Sequence, residues 1–543
     1  MHSTRATSVD PGLCFLVDEF AADHQAVTRR YKLSLSPARF ERMARLLREW
    51  KGRLADLSFD ELGPAGKVDY VLFQKHLWRS EIALGRDREE AERLNEVVPF
   101  SVDIVALDES REAMEPIDPV ATAERLDALA VSIEEAEAIA EDAPALEWVK
   151  ELQGALDRWA EFYVGYDPTI AWWVREPLER ARARLADFVT AAEVPPSRRA
   201  PIPGRPIGRE AILQDLEAEM LPYTPEELIG IGEREYAWCL NEMHRASEEL
   251  GFGKDWHAAL EYVKNTFLPP GAQPKMVRDL AIEAIQFVES RELVTVPELA
   301  KETWRMEMMS PERQKVSPFF LGGETIIVSY PTDAMTHDEK RMSMRGNNPN
   351  FSRATVQHEL IPGHHLQMYM TERFRKYRQL FSTPFWIEGW TLYWELLLWD
   401  LGFPRTPEER IGMLFWRMHR CVRISFSLRF HLGELTTAEC VDILVERVGH
   451  ERANAEGEVR RSFNGTYPPL YQAAYMIGGL QFRAIERELV GSGRMTHRQF
   501  HDAIMRENEM PPALMRMVLS GETPDASGPT PWRFDSARPE GRS

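Results

Sequence analysis

Residues 358–365 read HELIPGHH. A His-Glu pair on a helix is how a helix-borne zinc hydrolase begins: the histidine binds metal and the adjacent glutamate takes a proton from water. The usual second ligand stands four residues after the first, in H-E-x-x-H. Here that position is Pro362, and the next histidines are His364 and His365. Proline and glycine at 362–363 predict a kink or an end to the helix that carries His358 and Glu359, with Ser352 placed to cap its start. In an unbroken helix His365, seven residues on, would point the same way as His358 but about 10 Å further along the axis. A kink or bulge at Pro-Gly could instead bring His364 back beside His358. Residue geometry leaves the two open.

A third ligand is offered by residues 385–399, FWIEGWTLYWELLLW, which contain Glu388 and Glu395. This segment is apolar on nearly every side, which predicts a buried helix. A buried carboxylate costs several kcal/mol unless it is paired or bound to metal. The two glutamates are seven apart and so share a face. Gly389 leaves room for another backbone or a ligand. Glu388 follows Glu359 by 29 positions, a distance that fits helix, connection, second helix. Each element alone is more often structural: a His-Glu pair is usually solvated, and two glutamates on an apolar helix pair readily with arginines such as Arg417, Arg420 or Arg423. Their occurrence together and in this order favours a metal site. His497 and His501 lack a following glutamate, and His419 and His431 lie among arginines, so hydrogen-bonding roles are expected for all four. No paired E-x-x-H elements of a di-iron site accompany these glutamates.

The 543 residues, 44% hydrophobic and 28% charged, suit two or three domains or one large helical enzyme around a deep cleft. A formal charge of −20 speaks against nucleic acid as a partner. Part of the acidity lies in 133–147, IEEAEAIAEDAPALE, read as a solvated helix face. The four cysteines are scattered, which suggests reduced thiols rather than a disulfide framework. The first twenty residues lack the long apolar core of a signal peptide and no run is long enough to span a membrane. The expectation is a soluble cytoplasmic protein.

Residues 1–200 read as an N-terminal helical region, 201–520 as the catalytic region, and 521–543 as a disordered tail. PPSRRAPIPGRP at 195–206 reads as a linker or long surface crossing. Thr224-Pro225-Glu226-Glu227 is a capping-box helix start. ETIIVSY at 324–330, between Gly322-Gly323 and Pro331, is the best strand, and the small β element is expected within 322–331.

HELIPGHHLQ at 358–367, EGWTLYWE at 388–395 and YQAAYMIGG at 471–479 resemble the bacterial domain-of-unknown-function 885 family, from about Thr224 to about Met517. The first 200 residues resemble it only as a generic helical region. The family is similar to gluzincin peptidases of the thermostable carboxypeptidase Taq and thimet oligopeptidase type, which carry HExGH on one helix and a glutamate ligand on the next. The resemblance implies a mainly α, zincin-like architecture with a deep cleft. It sets Gly363-His364 on their Gly-His, with two residues inserted ahead, so that His364 becomes the second ligand and Glu388 the third. Glu395 would then orient a histidine through its free ring nitrogen. By analogy with a late tyrosine of those peptidases, Tyr475 is the first candidate for an oxyanion donor and Tyr471 the second.

The expected function is therefore a peptidase using one zinc ion held by His358, His364 and Glu388, with Glu359 as general base. Strand 324–330 would pair with an extended peptide, and Arg460 or Arg461 would hold a substrate carboxylate. Alternatives are a metal-dependent amidohydrolase acting on a small non-peptide amide, a metal-dependent lyase or oxygenase, and a non-catalytic helical binding protein.

Overall fold

A computed structural model describes residues 11–137, 139, 142–193, 202–314 and 322–535. The chain is mainly helical and divides into two compact units. One comprises Met1–Leu62 with Phe73–Pro203; the other comprises Gly63–Leu72 with Gly204–Ser543.

The N-terminal unit is built from amphipathic helices whose starts are written in the sequence. Ser36, Asp118, Asp142 and Asp167 each accept a backbone N–H of the helix they precede, and a proline stands in the first two positions of each of those helices. Leu126, Trp148, Leu152, Trp159, Val174 and Leu185 fill the core. The acidic stretch read as one solvated helix face is two helices with a break: one ends at Glu135, and Asp142 caps the next while pairing with Arg93 at 2.6 Å. Residues 195–201 of the expected linker lie outside the described residues.

The C-terminal unit contains the motifs. Thr224 and Glu227 form the expected capping box. The expected strand is present as β2 (Thr325–Val328), which pairs in parallel with β1 (Arg305–Met308), Arg305 opposite Thr325 and Met308 opposite Val328. β1 was not legible: RMEM is short, unbranched and largely exposed, so neither periodicity nor propensity marks it. After Ser520, where a disordered tail was expected, contacts continue as far as Asp535. Phe534 is buried, and the Tyr223 hydroxyl donates to Asp535 at 2.8 Å. Residues 536–543 lie outside the described residues.

The apolar 385–399 segment forms the helix Pro384–Asp400, buried along almost its whole length as its composition requires. It packs on Tyr471–Leu489 through facing glycines. A Cβ on Gly389 would stand 2.8 Å from the Gly478 backbone, and one on Gly478 would stand 2.4 Å from the Phe385 carbonyl oxygen. Backbones this close fix where the two helices present Glu388 and Tyr471. Gly478→Leu should therefore destabilise the fold by about 1–3 kcal/mol or more. Gly52→Ala, at an exposed helix position with open space around it, should be neutral or stabilising by up to about 1 kcal/mol. Denaturant unfolding of both variants checks the contrast, and equal effects would contradict it.

Candidate metal centre

The His358 helix runs Pro349–Glu359. Asn348, not Ser352, caps it, accepting the N–H groups of Asn350 and Phe351 with Pro349 in the first turn. Ser352 lies inside the first turn and donates to the Asn347 carbonyl. The helix ends at Glu359, as Pro362-Gly363 predicts. Ile361-Pro362 is cis, and a new helix, His364–Thr371, starts at once with Gly363 before it. Gly363 N–H donates back to the Gln357 carbonyl at 3.0 Å. A Cβ on Gly363 would lie 1.8 Å from the His358 carbonyl oxygen, so only glycine permits this return. The Trp390 indole N–H holds the Pro362 carbonyl at 3.0 Å, tying the turn to the Glu388 helix.

The turn brings His364, and not His365, to the side of His358. The two imidazoles meet edge to face with centroids 5.0 Å apart. His365 points the other way and donates from Nε2 to the Ala300 carbonyl at 2.9 Å. Glu388 Oε2 lies 3.6 Å from His358 Nε2 and 3.3 Å from His364 Nε2. His358, Glu359 and His364 offer ligand atoms within 4.8 Å of one another, the only such group among the described residues.

The remaining ring nitrogens are held from behind. His358 Nδ1–H donates to Glu395 Oε1 at 2.7 Å, a contact expected of Glu395. His364 Nδ1–H donates to Gln367 Oε1 at 3.3 Å, and the Gln367 amide nitrogen donates in turn to the carbonyls of Trp386 and Ile387. Both imidazoles thus direct Nε2 to one point beside Glu388. Gln367 escaped the sequence reading although it stands three residues beyond His364, one helical turn away.

Electrostatics follow from burial. Burial opposes ionisation of Glu388, but His364 and His358 outweigh it and hold its carboxyl well below the usual range. Burial likewise opposes charge on His358, yet Glu388 and Glu395 push its pKa up to about 9. Without metal, then, a proton on His358 supplies part of the positive charge that these carboxylates demand. Glu359 is raised by burial, with His358 and His364 opposing the rise. Gly322 stands against it: a Cβ there would meet Glu359 Oε2 at 1.9 Å.

The donor set fits a zinc ion. Two ligands each about 2.1 Å from a tetrahedral zinc stand roughly 3.4 Å apart, close to the observed nitrogen–oxygen spacings. Two neutral imidazoles and a carboxylate from facing helices suit that ion's borderline softness.

A cavity of about 270 Å³ opens over this cluster. Tyr471 donates its hydroxyl to Glu388 Oε1. Tyr475 OH lies 3.5 Å from Tyr471 OH, and its ring stacks on His358 at 6.2 Å. Burial first, then the Glu388 charge, pushes the Tyr475 pKa up to about 12, so it remains a hydrogen-bond donor. Ile327 of β2 lines the cavity, and among the described residues β2 pairs with β1 alone. Arg461 lines the cavity too, but spends Nε and Nη2 on Glu458 at 2.7 and 3.4 Å. Arg460 is not among the lining residues. His497 and His501 lie elsewhere; His501 bridges Tyr393 OH and the Leu293 carbonyl.

Fold and site together define a helical protein with two histidines and a glutamate gathered at the base of a polar cavity. The chain belongs to the family described as "Bacterial protein of unknown function (DUF885)", whose profile matches residues 25–519. The match thus takes in most of the N-terminal region, which resembled the family only generically by inspection. Two solved structures share the fold. A "putative lipoprotein of unknown function" from Shewanella oneidensis is 15% identical over 94% of this chain and 99% of that one, with a TM-score of 0.69. A "putative lipoprotein" from Colwellia psychrerythraea is 14% identical over 94% and 98%, with a TM-score of 0.62. No curated protein matches the chain. No helix among the described residues is long and apolar enough to cross a membrane.

If the nitrogens behind the ligands are aimed as described, Gln367→Ala and Glu395→Ala should each weaken zinc binding by about 10–100-fold. Competition titration against a chromophoric chelator measures this. Unchanged affinity in both variants would remove the orienting role.

Proposed function

We propose that the protein is a zinc-dependent peptidase of gluzincin-like chemistry. The observation that carries the reading is the convergence of His358 Nε2, His364 Nε2 and Glu388 Oε2 at spacings of 3.3 and 3.6 Å beside Glu359. His358, His364 and Glu388 hold the ion. Zinc, when bound, acidifies water and polarises a carbonyl. Glu359 takes a proton from the attacking water and returns it to the leaving amine nitrogen, a task that suits a carboxylate whose pKa burial has raised. Tyr475, with Tyr471 behind it, donates to the oxygen that gains charge as the carbonyl is attacked. The edge of β2 left without a partner among the described residues offers backbone groups to an extended substrate.

The cavity's volume, about 270 Å³, favours a second reading as well: hydrolysis of a small non-peptide amide by the same residues. Products released from dipeptides and from acylated amino acids separate the two.

Glu359→Gln should keep stoichiometric zinc and lower kcat by about 10²–10⁴-fold. His358→Ala should lose the metal. Full activity in Glu359→Gln would discard the proposed base. Absence of zinc uptake by the wild-type protein would favour a non-catalytic binding role.

A further inference from the structure

The cavity holds more positive charge than its carboxylates answer. Arg420 and Arg423 lie one turn apart on the helix Pro407–His431, and both are buried, at 6% and 1% exposure. Both guanidiniums pack over the Tyr475 ring, with Cζ atoms 4.5 and 4.6 Å from its centre. Arg423 gives Nη2 to Glu458 at 2.5 Å, but its Nε and Nη1 are buried without a hydrogen-bond partner among the described residues. Arg420 Nε likewise has none among the described residues, and Arg420 Nη2 lies 3.9 Å from Glu395 Oε1, which already accepts from His358. Glu458 is itself shared between Arg423 and Arg461. The ring of Tyr475 offsets part of the cost by cation–π attraction. Planar donors left unpaired at this depth still cost several kcal/mol until an anion reaches them.

We infer that Arg420 and Arg423 form a carboxylate seat beside the metal centre, so that the substrate is an amide whose nitrogen is borne by a carbon carrying a free carboxylate. Such a substrate is a peptide cut at its last bond or an N-acyl amino acid. The inference rests on the hydrolase reading for its chemistry but not for its binding. The seat lies close to the centre: Glu395 stands between Arg420 and His358, and Tyr475 is shared by His358 and both arginines. A terminal carboxylate carbon lies only about 4 Å from the scissile carbonyl carbon, three bonds away. Two guanidinium edges suit the planar, bidentate acceptor that a carboxylate presents. In the reaction the acyl–nitrogen bond breaks and the water oxygen joins the acyl carbon. The amino acid departs with its nitrogen protonated and its carboxylate still on the arginines. Arg461, the sequence-level candidate, is the less suited, because Glu458 already occupies the edge of its fork formed by Nε and Nη2.

The test compares N-benzoyl-glycyl-phenylalanine with its C-terminal amide on zinc-replete wild-type protein. The free acid should be favoured by about 30-fold or more in kcat/KM. Arg423→Met and Arg420→Met should each narrow that ratio by about tenfold, chiefly through KM, while retaining zinc and the wild-type circular dichroism. Equal rates on acid and amide in the wild-type protein would overturn the seat, whether or not the variants fold. A second arm reads binding without turnover: calorimetric titration of N-benzoylglycine and N-benzoylglycinamide. Tighter binding of the acid upholds the seat even if neither peptide is cut, in which case the hydrolase reading alone fails. Equal binding of the two overturns it.

Discussion

A carboxylate buried in the middle of a protein must be met by positive charge, and the C-terminal unit is arranged around that demand at Glu388. Its helix is apolar along almost its whole length, so the buried side chain has little bulk water to meet it. Two imidazoles and a tyrosine hydroxyl meet it instead. Each imidazole is fixed through its other nitrogen, one by Glu395 and one by Gln367. Two nitrogens and a carboxylate oxygen are thus aligned before any ligand arrives, an arrangement that lowers the cost of binding a divalent cation.

The residues that gather in the cluster were largely legible in the sequence because burial of charge is costly and therefore conspicuous. Glu388 and Glu395 stood out as acids on an apolar helix, and both face His358. The choice between His364 and His365 was not legible. It depends on a turn at Leu360–Gly363 whose course is set by tertiary contacts: the Trp390 bond to the Pro362 carbonyl and the close approach of Gly363 to His358. Local propensity marks a break there but not its direction. The cap on the His358 helix was misplaced by four residues because Ser352 is a common capping type, whereas the Asn348-Pro349 pair does the capping.

The fold's main class was readable from apolar periodicity, and the strand β2 from its branched residues. Its partner β1 owes its conformation to pairing with β2 rather than to its own side chains. In the sequence Arg420 and Arg423 read only as counter-ions for the glutamates. Burial is as costly for a guanidinium as for the Glu388 carboxylate, so basic residues one turn apart on a buried helix need partners of their own. Glu458 supplies part of it, and the cavity they share with the histidines supplies the rest.

The most direct test of the central claim is anomalous X-ray diffraction at the zinc edge from crystals grown with one equivalent of zinc. The account predicts a single strong peak about 2.0–2.2 Å from His358 Nε2, His364 Nε2 and a Glu388 oxygen. A crystal with no peak at that point, where Glu388 and a protonated imidazole simply pair, would contradict it.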